Sequence, residues 1–288
     1  MSRRSFPLWV CAALVYVFLY APLVVVMVYS FNTARHGGPW QGFTTAWYVK
    51  LLSVDAAASD LSEGDKKDAQ EKRLALKNTL VLATVSATVA TVLGTLLGYG
   101  LRRYQFPGKT LCAWLLYLPV VVPDIVMAVA LLLFFALLRE WSEWLWATLG
   151  YAGPALFTLG MRTMILAHIT FQIPFVAIVV RARLTGLDPA IEEAARDLGA
   201  NTWQTFWRVT LPFMLPGVLA GGLLAFTLSL DDFVVSFFTT GPGATTLPIL
   251  IYASVRRGIT PDINALSTLL VVASIIGTLG IALLQRPR

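Results

Sequence analysis

Charged side chains are scarce in this sequence. Asp, Glu, Lys and Arg make up 13% of its 288 residues, hydrophobic residues make up 57%, and the mean hydropathy is +0.71. A soluble domain normally carries about 25% charged residues, so water cannot be the solvent for most of this surface. The composition therefore excludes an ordinary soluble protein and predicts one that lies in a lipid bilayer.

Cysteine is also scarce, and nucleotide-binding motifs are absent. The two cysteines, Cys11 and Cys112, lie in separate apolar runs without metal-ligand spacing, and we interpret both as small buried hydrophobic residues. The Gly-Pro-Gly of residues 241–243 lacks the Gly-Lys-[Ser/Thr] ending of a phosphate-binding loop and is typical of a turn. We expect no catalytic residue, no cofactor and no metal site in this chain.

Basic residues outnumber acidic ones, 22 to 16, which gives a net charge of +6. Basic residues that flank membrane spans and face anionic lipid account for this excess better than nucleic-acid binding does. Arg3 and Arg4 precede an apolar stretch that is longer than the hydrophobic region of a signal peptide and lacks an Ala-x-Ala cleavage site. We therefore expect an uncleaved spanning helix at this end of the chain.

Six apolar runs are long enough to span a bilayer, which takes about 20 residues per helix. Lipid offers no hydrogen-bond partners, so each spanning segment must satisfy its own backbone as an α-helix. The sequence predicts one all-α transmembrane domain over residues 1–288, with spans at 8–31, 77–101, 111–138, 155–183, 213–238 and 264–285. Glycines that would permit close helix approach lie in three of these runs: Gly94, Gly98, Gly100, Gly217, Gly221, Gly222, Gly277 and Gly280.

Basic residues predict the orientation, because Lys and Arg concentrate on the cytoplasmic side of membrane proteins. They flank both ends of the chain and two of the loops: Arg3, Arg4, Arg102, Arg103, Lys109, Arg181, Arg183, Arg286 and Arg288. We therefore expect both termini and residues 184–212 in the cytoplasm and residues 32–76 in the periplasm. Within the periplasmic loop, residues 40–48 are aromatic and suit a packed or interfacial segment. Residues 53–73 are expected to form a solvated loop or a short surface helix.

Residues 184–212 carry the signals of a short helix outside the membrane. Asp188 is a favourable N-cap, Pro189 is a favourable first helical residue, and Gly199 is a favourable residue to end the helix. An apolar stripe at i, i+3, i+4 and i+7 runs along this helix: Ile191, Ala194, Ala195 and Leu198.

Further signals in the same segment concern charge and a second helix. Glu192 and Glu193 suit the positive end of the first helix dipole. Asn201 and Gln204 have the spacing of a capping box for a second short helix, which Pro212 is expected to close near the membrane. These residues leave open whether the apolar stripe touches lipid, the rest of this protein or a groove on a soluble partner.

The segment contains the pattern E-A-A-x3-G-x9-[IV]-x-L-P, formed by Glu193, Ala194, Ala195, Gly199, Val209, Leu211 and Pro212. This pattern resembles the EAA loop of ABC importer permeases, which forms the coupling helix that inserts into a cleft of the cytoplasmic ATPase. The resemblance implies a polar contact from Glu193 to the ATPase and a tight turn at Gly199. It assigns ATPase coupling to Glu193, Ala194, Ala195, Gly199, Leu211 and Pro212.

Other segments extend the resemblance over most of the chain: residues 40–48, 123–127, 168–171, 225–232 and 241–248. They resemble the permease subunits of spermidine/putrescine-type ABC importers, although residues 53–73 are longer than the family pattern. The resemblance implies the type I importer permease fold. It also implies a complex with a sister permease, two cytoplasmic ATP-binding subunits and a periplasmic binding protein that delivers a polyamine.

Three aspartates lie inside predicted spans: Asp124 midway along the third, and Asp231 and Asp232 in the outer part of the fifth. An aspartate at the bilayer centre costs about 2.5–3.5 kcal/mol and usually faces the bundle interior or a water-filled path. We hypothesise that Asp124 and at least one of the other two line the path of a cation; alternatively, these residues cap helices or form structural hydrogen bonds. Adjacent helical positions point about 100° apart, so Asp231 and Asp232 are not expected to face the same path. Pro119 and Pro123 can break the third helix where it lines a cavity.

His168 and Gln172 share one face of the fourth run, at i and i+4. A single histidine in a span is more often an interhelical hydrogen-bond partner than a ligand. We therefore interpret this pair as structural.

Other classes of function fit this sequence less well than an importer does. An intramembrane aspartyl protease needs two facing carboxylates on different helices, for which adjacent aspartates are poorly arranged. A stand-alone channel or carrier does not explain a cytoplasmic EAA loop. Within the importer class, an amino-acid-like compound or a metal chelate is the alternative to a polyamine. We expect a multi-pass subunit of a bacterial inner membrane that is not itself an enzyme, since ATP hydrolysis would belong to its partners.

Overall fold

The computed structural model describes residues 6–34, 38–52, 63–151, 153–154, 156–257 and 260–284. Within these ranges the chain is helical and contains no β-strand beyond an isolated bridge between Asn32 and Phe43. The helices are α1 (Phe6–Tyr29), α2 (Ala46–Leu52), α3 (Glu63–Arg103), α4 (Lys109–Val121), α5 (Asp124–Thr148), α6 (Met161–Thr185), α7 (Pro189–Asp197), α8 (Thr202–Thr205), a π-helical turn (Phe206–Thr210), α9 (Leu211–Leu230), α10 (Val234–Thr239), α11 (Leu247–Arg257) and α12 (Pro261–Leu284).

Five helical stretches in the described part of the chain are long and apolar enough to cross a membrane: Leu8–Tyr29, Lys66–Arg103, Asp124–Thr148, Met161–Thr185 and Thr202–Leu230. Helix α12, 24 residues long, coincides with the sixth predicted span. The predicted class, an all-α membrane protein, is confirmed.

The third predicted span, 111–138, is broken into α4 and α5. Between them lie Val122, whose backbone is extended (φ −70°, ψ 132°), and Pro123. Proline has no backbone N–H and disfavours the helical conformation in the residue before it, so the helix cannot continue through Val122. Asp124 is therefore the first residue of α5, beside the break, and not the middle of a continuous helix.

The fifth predicted span, 213–238, is also divided. Helix α9 ends at Leu230, and Asp231, Asp232 and Phe233 link it to the short helix α10. The Asp232 carboxylate accepts hydrogen bonds from backbone N–H groups at the start of α10, which stabilises a new helix beginning at this point.

Residues 53–73 were predicted to form a solvated loop or a short surface helix, and the structure differs from both over the second half of this stretch. Residues 53–62 lie outside the described residues, whereas helix α3 begins at Glu63 and continues without interruption for 41 residues. Lys72 is buried and not solvated, because its ammonium group pairs with Asp262 at the start of α12 and with Asp68 one turn earlier. A buried ammonium group requires such carboxylate partners.

The chain divides into two compact units, one formed by residues 74–249 and one by residues 1–73 and 250–288. In the first unit, α6 packs between α3 and α9 at glycines. A Cβ atom on Gly98 would lie 2.7 Å from the backbone oxygen of Ala177, and one on Gly217 would lie 2.7 Å from Cβ of Arg183. The predicted close approach is thus found at these glycines, whereas Gly100 faces open space. The surroundings of Gly277 and Gly280 lie outside what the structure describes.

Candidate functional site

The predicted helix between the fourth and fifth spans is α7. The Asp188 side chain accepts a hydrogen bond from the Ala190 backbone N–H at 3.0 Å, as an N-cap residue does. Gly199 has a φ of +87°, and the next N–H, of Ala200, donates back to the Ala195 carbonyl at 3.1 Å. Both predicted ends of this helix are confirmed.

The second short helix begins at the predicted capping box. The Asn201 N–H donates to Gln204 Oε1 at 3.0 Å, and the Gln204 N–H donates to Asn201 Oδ1 at 2.8 Å. Contrary to expectation, Pro212 does not close this helix, because it lies in the first turn of α9. The π-helical turn joins α8 directly to α9, so the segment is continuous with the fifth span.

The apolar stripe of α7 is largely exposed. Ile191 is 49% exposed and Leu198 is 90% exposed, and Glu193 and Ala194 are also exposed, while Ala195 is half-buried. Apart from Ala195, the stripe therefore does not pack against the described part of this chain. Its exposed residues are available to contact lipid or a partner.

Glu192 is the buried acidic residue of α7. Its Oε1 accepts a hydrogen bond from Thr210 Oγ1 at 2.7 Å, and its Oε2 lies 3.1 Å from Nη1 of Arg103. Sequence reasoning interpreted Glu192 only through the helix dipole and missed these contacts. No local spacing could have revealed them, because Arg103 is far away in the sequence.

A second candidate region is a cavity of about 320 Å³ inside the first unit. All three predicted aspartates line it: Asp124 beside the break before α5, and Asp231 and Asp232 between α9 and α10. Aromatic residues line it as well: Phe171, Phe175 and Phe233. Carboxylates and aromatic faces both attract cations, the latter through the ring quadrupole.

Asp231 and Asp232 were not expected to face the same path, but both line this one cavity. That expectation assumed a continuous helix, in which neighbouring residues point about 100° apart. The helix ends at Leu230, so that spacing does not apply to the link, and both residues line the same cavity.

The three carboxylates differ in their surroundings. Asp232 accepts hydrogen bonds from the backbone N–H groups of Val235 at 3.3 Å and Ser236 at 2.7 Å, so it caps α10, as the alternative interpretation of these aspartates expected. Asp124 and Asp231 are exposed to the cavity, and no ion pair joins either of them to a residue that the structure describes.

His168 and Gln172 are fully buried beside this link. His168 Nδ1 lies 2.8 Å from Ser229 Oγ, and Nε2 lies 3.1 Å from Ser236 Oγ. Gln172 Nε2 donates to Ser86 Oγ of α3 at 3.3 Å. The interpretation of this pair as interhelical hydrogen-bond partners is confirmed, whereas sequence reasoning missed the three serines.

The pattern that defines the family described as "Binding-protein-dependent transport system inner membrane component" matches residues 90–286. The spermidine/putrescine transport system permease protein PotC of Escherichia coli (strain K12) is 38% identical over 274 residues, which cover 95% of this chain and 92% of PotC. The putrescine transport system permease protein PotI of the same strain is 42% identical over 267 residues, which cover 92% of this chain and 84% of PotI.

Among solved structures, a bacterial ABC transporter involved in the import of the acidic polysaccharide alginate has a chain with a similar fold. The TM-score is 0.71 at 21% sequence identity, and the match covers 99% of this chain and 96% of that chain. At this identity the likeness concerns the fold, which is that of an ABC transporter chain.

Proposed function

We propose that this chain, which belongs to the family of binding-protein-dependent transport system inner membrane components, translocates polyamines as the permease subunit of an ATP-driven importer. Its similarity over most of its length to permeases named for spermidine and putrescine supports this substrate class. The observation that carries the proposal is the cavity that Asp124, Asp231 and Asp232 line together.

The charge of this cavity suits an extended polycation. Asp124 and Asp231 have no ion-pair partner among the described residues, so a cation that enters the cavity can supply the missing charge. A polyamine loses water when it leaves a binding protein for the membrane interior, and carboxylates offset part of that loss. Aromatic faces such as that of Phe171 would add a cation–π contribution. Asp232, already bonded to α10, would contribute mainly by holding the link in place.

The proposed coupling surface is the exposed side of α7. Glu193 would make a polar contact with the ATPase, and Ala194 and Ala195 would let the helix enter a groove closely. Gly199 would provide the tight turn after the helix, where its φ of +87° suits glycine. Leu211 and Pro212 begin α9, so movement of this segment would reach the fifth span directly.

The proposed complex contains this subunit, a sister permease, two cytoplasmic ATP-binding subunits and a periplasmic binding protein. ATP hydrolysis would belong to the partner subunits, and alternating access would move the solute. Both termini and residues 184–212 would lie in the cytoplasm and residues 32–76 in the periplasm. The positions of Lys and Arg support this orientation.

The proposal can be tested by measuring solute uptake by the purified complex in proteoliposomes. ATP is supplied on the side of the membrane where the ATPase subunits lie. We expect binding-protein-dependent and ATP-dependent uptake of labelled putrescine or spermidine. Uptake of an amino-acid-like compound or a metal chelate, with none of polyamines, would leave the importer class intact and reject the substrate. Polyamine uptake without the ATPase subunits would instead indicate a stand-alone channel or carrier.

A further inference from the structure

Helix α7 is attached to the rest of the described chain by its polar side. The usual arrangement of a surface helix buries an apolar stripe and exposes charge. Here Leu198 is 90% exposed, whereas Glu192 is 6% exposed. The attachment of α7 therefore depends on a buried carboxylate more than on apolar packing.

Both oxygens of that carboxylate are engaged. Oε1 accepts the hydroxyl proton of Thr210, which is itself buried, and Oε2 pairs with the guanidinium of Arg103. The Glu192 carboxylate is buried, so removing Arg103 would leave its charge uncompensated, whereas Arg103 itself is 40% exposed. A cavity of about 190 Å³ lies beside this contact and is lined by Tyr99, Arg103, Glu192 and Thr210. The ion pair and the hydrogen bond connect α7 to α3 and to the π-helical turn at the edge of this cavity.

The partners of Glu192 lie at the ends of two membrane helices. Arg103 is the last residue of α3, and Thr210 ends the π-helical turn that continues into α9. Further along, the same two helices meet again at Ser86 and Ser229, whose hydroxyl oxygens lie 3.4 Å apart. Ser229 in turn contacts His168, next to the carboxylate cavity.

We propose that Glu192 is a positioning residue that transmits movement of α7 to α3 and α9 at once, through Arg103 and Thr210. The inference rests on the proposed function, in which α7 docks on the ATPase. It assigns the two neighbouring glutamates different tasks: Glu193 faces the partner, and Glu192 holds the helix to the membrane domain. Movement imposed on α7 from outside then reaches two spans as one rigid displacement.

The test is the number of solute molecules taken up per ATP hydrolysed, measured per assembled complex in proteoliposomes. Glu192→Gln keeps the size of the side chain and its contact with Thr210 but removes the ion pair with Arg103. We expect Glu192→Gln and Arg103→Glu to retain bound ATPase subunits and ATP hydrolysis while uptake per ATP falls about tenfold or more. The double variant that exchanges the two charges, Arg103→Glu with Glu192→Arg, should recover part of the uptake per ATP hydrolysed.

Arg102→Glu is the matched control, because it makes the same charge change one residue earlier, at a side chain that lines the same cavity but has no ion pair to a described residue. Its uptake per ATP should stay near that of the wild type. Wild-type ratios in both Glu192→Gln and Arg103→Glu would overturn the proposal. So would a loss confined to the yield of assembled complex, since that result describes a merely structural contact.

Different results would show that the proposed function itself is wrong. If the wild-type complex shows no ATP-driven uptake, or if Glu193→Lys and Gly199→Val bind the ATPase and transport normally, the docking role of α7 is wrong. Those measurements do not depend on Glu192 or Arg103.

Discussion

His168 Nε2 lies 3.4 Å from Oδ2 of Asp232, and the histidine ring is completely buried. The same carboxylate oxygen accepts the Ser236 backbone N–H at 2.7 Å, so one side chain joins α6 to the start of α10. The break in the fifth span is therefore held by specific contacts from a neighbouring helix. This break is what presents Asp231 to the cavity.

Replacing His168 should destabilise this link. His168→Leu removes the imidazole that bonds the buried hydroxyls of Ser229 and Ser236, and weakened hydrogen bonding of a buried polar group costs up to about 1–3 kcal/mol. We expect His168→Leu to have a clearly lower unfolding temperature in detergent than the wild type. The decrease in unfolding temperature should be smaller for His168→Gln, which retains a polar side chain. Leu166→Ala, at an exposed position of the same helix, should have little effect. Equal unfolding temperatures for His168→Leu and wild type would contradict the structural role.

Removing the free carboxylates should reduce transport without disturbing assembly. Asn keeps the size of Asp but not its charge, so Asp124→Asn and Asp231→Asn should each lower polyamine uptake by about tenfold, a change of roughly 1.4 kcal/mol. Complex yield and bound ATPase should stay near normal. Asp232→Asn should lower thermal stability as well, because this residue caps α10. Glu140→Gln, an equal charge change at an exposed position on α5, is the control. Near-wild-type transport by the triple Asn variant would remove the path hypothesis.

The turn after α7 should tolerate few residues. Gly199 has a φ of +87°, a conformation that a β-branched side chain strongly disfavours, although asparagine can adopt it. We expect Gly199→Val to reach the membrane at normal levels but to recruit little ATPase and to transport poorly. Gly199→Asn should keep most of the ATPase recruitment and most of the transport. Co-purification of the ATPase measures recruitment. If the two variants behave alike, backbone conformation at this turn is not what matters.

Close packing of α3 on α6 should make Gly98 sensitive to a single methyl group. A Cβ atom there would lie 2.7 Å from the backbone oxygen of Ala177, whereas nothing lies within 4 Å of one on Gly100. Gly98→Ala should lower the folded yield and the unfolding temperature. Gly100→Ala should be neutral or slightly stabilising, since alanine favours a helix by roughly 1 kcal/mol over glycine. If Gly100→Ala lowered the unfolding temperature more than Gly98→Ala, the contact of α3 with α6 at Gly98 would be wrong.

The proposed orientation can be tested by thiol labelling in intact cells. In a background without Cys11 and Cys112, a cysteine replacing Gln70 should react with a membrane-impermeant reagent, and one replacing Thr202 should not. Both positions are exposed in the structure, so accessibility from the aqueous side decides the result. The opposite labelling pattern would reverse the proposed topology.

Local signals in the sequence were sufficient to predict the helical class, the limits of α7 and the capping box at Asn201. These features depend on interactions within a few residues: apolar run length, a side chain that bonds a nearby N–H, and a glycine at a positive φ. They do not depend on where the rest of the chain lies. For the same reason, Pro123 pointed to the break in the third span, whereas Pro119 lies inside α4 and does not end it.

Contacts between distant parts of the chain were decided by the tertiary structure. Residue spacing could not show that Asp124 and Asp231 line one cavity, or that Glu192 faces Arg103 while Glu193 faces outward. Packing of α6 against α3 and α9 sets which buried polar groups meet, and a buried charge or hydroxyl must find its partner there because no water is available. Helices are specified locally, whereas the pairing of their buried polar groups is a property of the assembled bundle.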